Sequence, residues 1–173
     1  MQLVRRDVSS KILACTPSNA AADLLVERLA EAGLTVDQLL RLNARSRDMK
    51  AESISEEVRA FSASPKREKL RTYRVVITTC SSAGRLFTQK IPAGHFSHIV
   101  IDEAAQAEEP LSLIPITFFS NRETTVILAG DPCQLGPVIM SNPASQAGLG
   151  KTHLERLMRI SLIYDLDAQA GET

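Results

Sequence analysis

Tryptophan is absent from this chain, and aromatic residues make up only 4% of its 173 positions. Few rings are therefore present to build a stacking surface. Cysteine is also scarce. Cys15, Cys80 and Cys133 are odd in number, and none stands in CxxC spacing. That argues against a disulfide framework or a zinc site and fits reduced thiols in a cytosolic or nuclear protein. No apolar run approaches the roughly 18 residues needed to span a bilayer. The first residues, MQLVRR, lack the apolar core of a secretory signal. Net formal charge is zero, so total charge identifies no partner. Finally, the chain has no GxxxxGK[ST] phosphate loop. Gly150-Lys151-Thr152 reads GKT, but the opening glycine is missing and no strand precedes it, so the match is coincidental.

What is present is the pattern of one α/β domain. Four short runs rich in Val, Ile and Leu do not alternate with polar residues: KILACT (11–16), VVITT (75–79), HIVID (98–102) and TVILAG (125–130). Strands covered on both faces look like this, as in a parallel sheet between helical layers. LLRLN (39–43) is a weaker fifth. Between them lie helical patterns. Residues 19–32 place Ala22, Leu25, Val26 and Leu29 on one face, with Gly33 as a C-terminal cap. Residues 52–61 and 65–70 are charged and helical in character, and 152–160 is amphipathic, with Leu154, Leu157 and Met158 on one side. Strands alternating with helices predict a doubly wound, three-layer α/β domain. A helix is already under way at Met1, and the polar tail from Asp165 to Thr173 carries no element. Both ends read as cut. Charge is unevenly placed. Residues 41–74 hold ten basic and five acidic side chains, whereas 98–131 hold one basic and six acidic. A basic stretch suits a polyanion and a carboxylate cluster suits a metal, although two solvated faces would give the same pattern.

In an open α/β sheet, ligands bind beyond the carboxyl ends of the strands. The residues found there are Pro17-Ser18-Asn19, Thr78 to Ser82, Asp102-Glu103 and Gly130-Asp131-Pro132-Cys133-Gln134. An aspartate ending a buried strand, Asp102, can hold Mg²⁺ directly or through water. The adjacent Glu103 can then orient and deprotonate a water that attacks a γ-phosphate. The plainer role for such a residue is capping the next helix. Gly130 lets the backbone pass close to a phosphate, while Asp131 and Gln134 offer an acceptor and a neutral amide to a terminal phosphate. An ordinary Asp-Pro turn is the alternative. Ser18 or Asn19 is a good helix N-cap, and the same first-turn amides can hold a phosphate. The hydroxyls of Thr79, Ser81 and Ser82 could do likewise or form a polar loop. His95 and His98 have no metal-ligand partners and read as structural. Cys133 has no paired histidine and fills space.

Together these clusters resemble superfamily 1 helicases of the up-frameshift type. ILACTPSNAAADLL resembles motif Ia, VVITTCSSAGRLF the next RNA-contacting motif, HIVIDEAAQAEEPLSLIPI motif II and VILAGDPCQLGPVI motif III. GLGKTHLERLM resembles a stretch that follows motif III in the Moloney leukaemia virus 10-like and Armitage group. The resemblance runs from Lys11 to Met158. It implies an incomplete RecA-like (P-loop NTPase) domain, the first of two, whose Walker A loop should precede Met1 and whose partner domain should follow Thr173. It also implies an ATP-dependent, 5′-to-3′ RNA helicase of RNA silencing or mRNA turnover, using ATP and Mg²⁺. Asp102 would be the metal ligand and Glu103 the base. Gln134, Gly130 and Asp131 would sense the nucleotide. Pro17, Ser18, Asn19, Thr79, Ser81 and Ser82 would touch single-stranded RNA through phosphate and sugar. Ribonucleoprotein silencing or decay factors would be its partners and the cytoplasm, including ribonucleoprotein granules, its location, with no membrane partner. DEAA replaces the more usual DEAG, which preserves both carboxylates. The alternative is a truncated non-catalytic module that binds RNA backbone or a protein partner.

Overall fold

The structure, a computed structural model, describes residues 2–7 and 9–160. Strands β1 (Ile12–Thr16), β2 (Leu39–Arg41), β3 (Val75–Thr79), β4 (His98–Ile101) and β5 (Thr125–Leu128) form one sheet in the order β2-β3-β1-β4-β5. Every pairing is parallel. Consecutive residues of β1 feed opposite faces, as the two-residue repeat of a strand requires. Leu13 and Cys15 join a core with Val76, Ile99, Ile101, Leu86 and Phe119. Ile12 and Ala14 join another with Val75, Ile77, Ala22, Val26 and Val58. One sheet between two apolar layers is the RecA-like α/β architecture expected from the unbroken apolar runs.

Helix α1 (Gln2–Arg6) precedes β1. Helix α2 (Asn19–Glu31) buries Ala22 and Val26, with Leu25 and Leu29 packed at the margin. Its end is a Schellman motif. Gly33 N–H donates to Ala30 O at 2.8 Å, Leu34 N–H donates to Leu29 O at 3.1 Å, and Gly33 takes φ +96°. Helices α3 (Glu56–Phe61) and α4 (Arg67–Leu70) are shorter than the charge pattern suggests. Ser55 caps α3 through Val58 N–H, which fixes its start four residues past Glu52. Pro65 disfavours helical geometry in the residue before it, and α4 begins after Lys66.

Helices α5 (Cys80–Thr88) and α6 (Glu109–Phe119) had no clear signature in the sequence. The hydroxyl run is not a loop. Thr79 caps α5, and Cys80, Ala83 and Leu86 are its buried face. In α6, Pro110 occupies the first turn, where its missing N–H is of no consequence, and Pro115 lies buried in the interior. Short α7 (Asn142–Gln146) follows the last strand, and residues 153–160, here α8, are helical. Leu154 reaches the core, but Leu157 and Met158 are exposed, contrary to the three-residue face read from periodicity. β5 also departs from expectation. Thr125, Val126 and Ile127 are exposed, because among the described residues β5 has a neighbour on one side only. The polar tail from Asp165 lies outside the described residues.

Candidate nucleotide and nucleic-acid site at the carboxyl edge of the sheet

Because the strands are parallel and their ends lie in register, the polar clusters fall along one edge. Thr16 is opposite Thr79, Cys15 is opposite Ile101, and Ile101 is opposite Leu128. The residue after β4, Asp102, is tied to the sheet by its N–H donating to Cys15 O at 2.8 Å. Its Oδ1 accepts from Glu103 N–H at 3.1 Å. One carboxylate oxygen is thus fixed on an amide and the other has no partner among the described residues.

Glu103 sits in the left-handed region at φ 55°, ψ 38°. For a residue with a Cβ this costs on the order of 1 kcal/mol or more. The surroundings hold it there. Gln106 N–H donates to Glu103 O at 2.9 Å, and Gln106 Nε2 donates to Glu103 Oε2 at 3.1 Å. The left-handed turn separates the directions of Asp102 and Glu103 and starts a single 3₁₀ turn, Ala104–Gln106. Neither carboxylate caps a helix through its side chain.

The cluster after β5 packs directly on this turn. Ala104 N–H donates to Ala129 O at 2.7 Å. A Cβ on Gly130 would stand 2.9 Å from both Ala104 N and Ala105 N. Glycine is required there by contact with the Asp102–Glu103 turn, a reason the sequence reading, which assigned it to a phosphate, did not contain. Asp131 Oδ1 accepts from Cys133 N–H at 2.9 Å and its Oδ2 from Gln134 Nε2 at 3.4 Å. Asp131, Cys133 and Gln134 are exposed. The two clusters read separately in sequence are therefore one backbone-linked unit.

The other two strand ends are more committed to structure. Ser18 accepts from Ala21 N–H at 3.2 Å, the capping role anticipated for it, and remains exposed with Asn19. Asn19 Oδ1 accepts from Arg41 Nη2 at 2.9 Å. Arg41 is fully buried within β2 and also donates through Nε to Asp23 at 2.9 Å. Burial alone would raise the Asp23 carboxyl, but hydrogen bonds from Arg47 and Arg41 outweigh it and hold it below its ordinary value. This ion pair was missed in sequence, where Arg41 was only counted with the basic stretch of residues 41–74. Pro17 is half-buried. At β3, Thr79 and Ser82 are buried and joined by the α5 cap, whereas Ser81 is exposed and shares a 3.2 Å hydrogen bond with Thr79 Oγ1. Of the hydroxyls proposed for RNA, Ser18 and Ser81 are open to solvent.

Lys151 and Thr152 lie elsewhere. Thr152 Oγ1 accepts from Glu155 N–H at 3.2 Å, and Glu155 Oε2 accepts from Thr152 N–H at 2.9 Å. This capping box opens α8, which Arg156 pins to Glu109 of α6 at 2.6 Å. The GKT is a helix start and not a phosphate loop. His95 stacks edge-on against Phe96, and His98 Nδ1 meets Ser97 Oγ at 2.9 Å, both structural roles. Cys15 and Cys80 are buried, Cys133 is exposed and all three are free. Burial pushes the Cys80 thiol up to about 12. Among the described residues, no helix is long and apolar enough to cross a membrane, and no three His, Cys, Asp or Glu side chains gather in a metal cage.

A parallel sheet whose carboxyl edge joins an Asp-Glu turn to a Gly-Asp-x-x-Gln turn is what the helicase resemblance led us to expect. The family described as "AAA domain" matches residues 36–142, more than half of the chain. The chain belongs to that family. It is 43% identical over 151 residues to human "RNA helicase Mov10l1", covering 86% of this chain and 12% of that protein. It is 40% identical over 179 residues to zebrafish (Danio rerio) "Putative helicase mov-10-B.1", covering 99% of this chain and 17% of that protein. It is 32% identical over 185 residues to "Probable RNA helicase armi" of Drosophila melanogaster, covering 93% and 16%. Within the family the chain thus falls in the Mov10-like and Armitage group of superfamily 1 helicases. It spans less than a fifth of the length of these relatives.

Proposed function

We propose that this chain is part of the first RecA-like domain of an ATP-dependent RNA helicase. In this reading the intact protein couples ATP hydrolysis to movement on single-stranded RNA, in silencing or turnover of RNA. The observation that carries it is the Asp102–Glu103 turn hydrogen-bonded to the Gly130 turn, a linkage through which a change at a terminal phosphate can move both loops together. Asp102 keeps one oxygen free beside an exposed edge. That suits Mg²⁺, which favours one or two carboxylates plus phosphates and water over an all-protein cage. When bound, the ion would offset charge on the transferring phosphate. Glu103 is the base that orients and deprotonates the attacking water. Gln134 presents its amide beside Asp131 to the γ-phosphate, and Gly130 and Asp131 hold that loop in place. Pro17, Ser18, Asn19, Thr79, Ser81 and Ser82 line the strand ends where RNA phosphates would run. Ser18 and Ser81 make the direct contacts and the buried hydroxyls set their positions. Ribonucleoprotein factors as partners and a cytoplasmic, granule-associated location are part of the same proposal, by kinship with the relatives.

The test is unwinding of a 5′-tailed RNA duplex by the intact protein with ATP and Mg²⁺. Glu103→Gln is expected to retain ATP binding and lose strand separation. Unwinding that persists in Glu103→Gln would remove the base assignment. A wild-type protein that binds RNA but no ATP would favour the non-catalytic module.

A further inference from the structure

Beyond the strand ends already described, the basic stretch of residues 41–74 folds into something specific. Half of its ten cations are spent internally, Arg59 among them through Ala51 O. Arg41 and Arg47 pair with Asp23, Lys69 pairs with Asp37, and Arg74 donates to the backbone carbonyls of Val4, Asp7 and Ser10. The other five, Arg45, Lys50, Lys66, Arg67 and Arg71, are exposed, and of these Arg45, Lys66 and Arg67 line one cleft. Those three make no side-chain hydrogen bond or ion pair among the described residues.

These three face two adjoining clefts of about 440 and 530 Å³ that share Arg45 and Ser64 as a common wall. Arg85, from α5, lines the second cleft and donates to Asn43 O. It is half-buried, and Arg45 is near enough to disfavour its charge, after the larger effect of burial. Two guanidinium groups that line one cleft, with no ion pair among the described residues, carry a repulsion that an anion would relieve. Arg59 lines the first cleft, and its buried Nε has no hydrogen-bond partner. Among the described residues, Glu68 is the single carboxylate on either wall, and no aromatic side chain lines them.

Position supplies the rest. The clefts open past the carboxyl end of β2, which neighbours β3, which neighbours β1. Neighbouring strands lie about 4.8 Å apart, so the clefts begin roughly 10 Å from the end of β1, on the same sheet edge as Ser18 and Ser81. We propose that this cleft between Arg45, Lys66, Arg67 and Arg85 is a second phosphate-backbone site, which carries single-stranded RNA from the ends of β1 and β3 outward over β2. The proposal rests on the RNA-motor reading above. Cationic walls without rings fit a backbone and not bases. They also lack the aromatic anchors of a protein-binding hot spot.

The experiment is fluorescence anisotropy of labelled oligouridylate on the intact protein across a range of KCl concentrations. The triple variant Arg45→Ala/Lys66→Ala/Arg67→Ala removes exposed side chains, and Arg85 is retained because it anchors Asn43. Each lost phosphate contact lowers the slope of log affinity against log salt by about 0.7 on a single strand, so three should lower it by about 2. Affinity near 100 mM salt should fall about tenfold or more, and equally for oligocytidylate. A charge-matched control, Arg28→Ala/Lys90→Ala/Arg122→Ala, should keep the wild-type slope. The proposal is overturned if the triple variant keeps wild-type affinity and slope while Ser18→Ala/Ser81→Ala weakens binding; the motif reading would then stand alone. Equal losses in control and triple variants would reduce the effect to net charge and overturn it as well. Loss of polyglutamate binding with RNA binding intact would reassign the cleft to an acidic protein. A wild-type protein with no affinity for RNA would bring down both readings together.

Discussion

Gly130 has to be a glycine because another backbone stands where its side chain would go. With a Cβ 2.9 Å from Ala104 N and Ala105 N, Gly130→Ala must force the two turns apart. A loss of about 1–3 kcal/mol in stability is expected from urea unfolding, the range for overpacking against a well-packed neighbour. Gly136→Ala, with nothing within 4 Å, should be neutral. Equal effects at both positions would contradict the contact argument. His95 offers a test by pH. Burial, then the charges of Lys11 and Arg71, push its imidazole down to about 4, so the unfolded chain takes up this proton before the folded one. Its contribution is therefore complete above 6.5 and declines as pH falls from 6.5 towards 4. His95→Leu should flatten the dependence of the unfolding midpoint on pH within that window. A slope identical to wild type would show that His95 titrates freely in the folded protein.

Among elements, the joint between α2 and β2 is held by Arg41, which is fully buried and shared by Asp23 and Asn19. Arg41→Ala strips a partly buried carboxylate of one partner while Arg47 keeps the other. We expect a cost near the lower end of the 3–5 kcal/mol typical of broken buried pairs, about 3 kcal/mol, in chemical denaturation. A loss below about 1 kcal/mol would mean that Arg47 alone satisfies Asp23. At α8, Thr152→Ala should lower stability by about 1 kcal/mol through the lost cap, whereas Lys151→Ala should leave nucleotide binding by the intact protein unchanged. Weaker nucleotide binding in Lys151→Ala would restore the phosphate-loop reading of GKT. These joints also show what sequence could and could not reveal. Strands β1 and β3 were legible because both faces are buried, and β4 because three of its four residues are Ile or Val. Helix α2 was legible because its apolar spacing and Gly33 agree. Helix α5 was not, since Thr79, Ser81 and Ser82 look like a loop until Thr79 is seen capping the helix. Helix α6 was masked by Pro110 and Pro115. The burial of Arg41 was not legible because its partner, Asp23, comes from another element.

Across the whole molecule, the gathering of the strand-end residues was legible because a parallel sheet collects them on one edge whatever the helices do. Asp102, Glu103, Gly130 and Gln134 could be placed on that edge in advance for that reason, and their roles were expected from the helicase resemblance. The left-handed geometry of Glu103 and the backbone bond between Ala104 and Ala129 could not, because both arise only when β4 and β5 lie side by side. The exposed apolar residues Val126 and Ile127 of β5 were hidden for the same kind of reason, since exposure depends on neighbours and not on the residue. The arrangement orders the carboxyl edge from the basic clefts at β2, through the hydroxyls at β3 and β1, to the carboxylates at β4 and the Gly-Asp-x-x-Gln turn at β5. RNA and nucleotide would then occupy neighbouring stretches of one edge, with the β1–β4 pairing between them. The most direct test is ATP hydrolysis by the intact protein with and without single-stranded RNA, in the wild type and in Glu103→Gln. RNA should stimulate the wild type, and Glu103→Gln should bind ATP and RNA normally yet lose hydrolysis by a factor of about 100 or more, as removal of a general base entails. RNA-stimulated hydrolysis at the wild-type rate in Glu103→Gln would contradict the account.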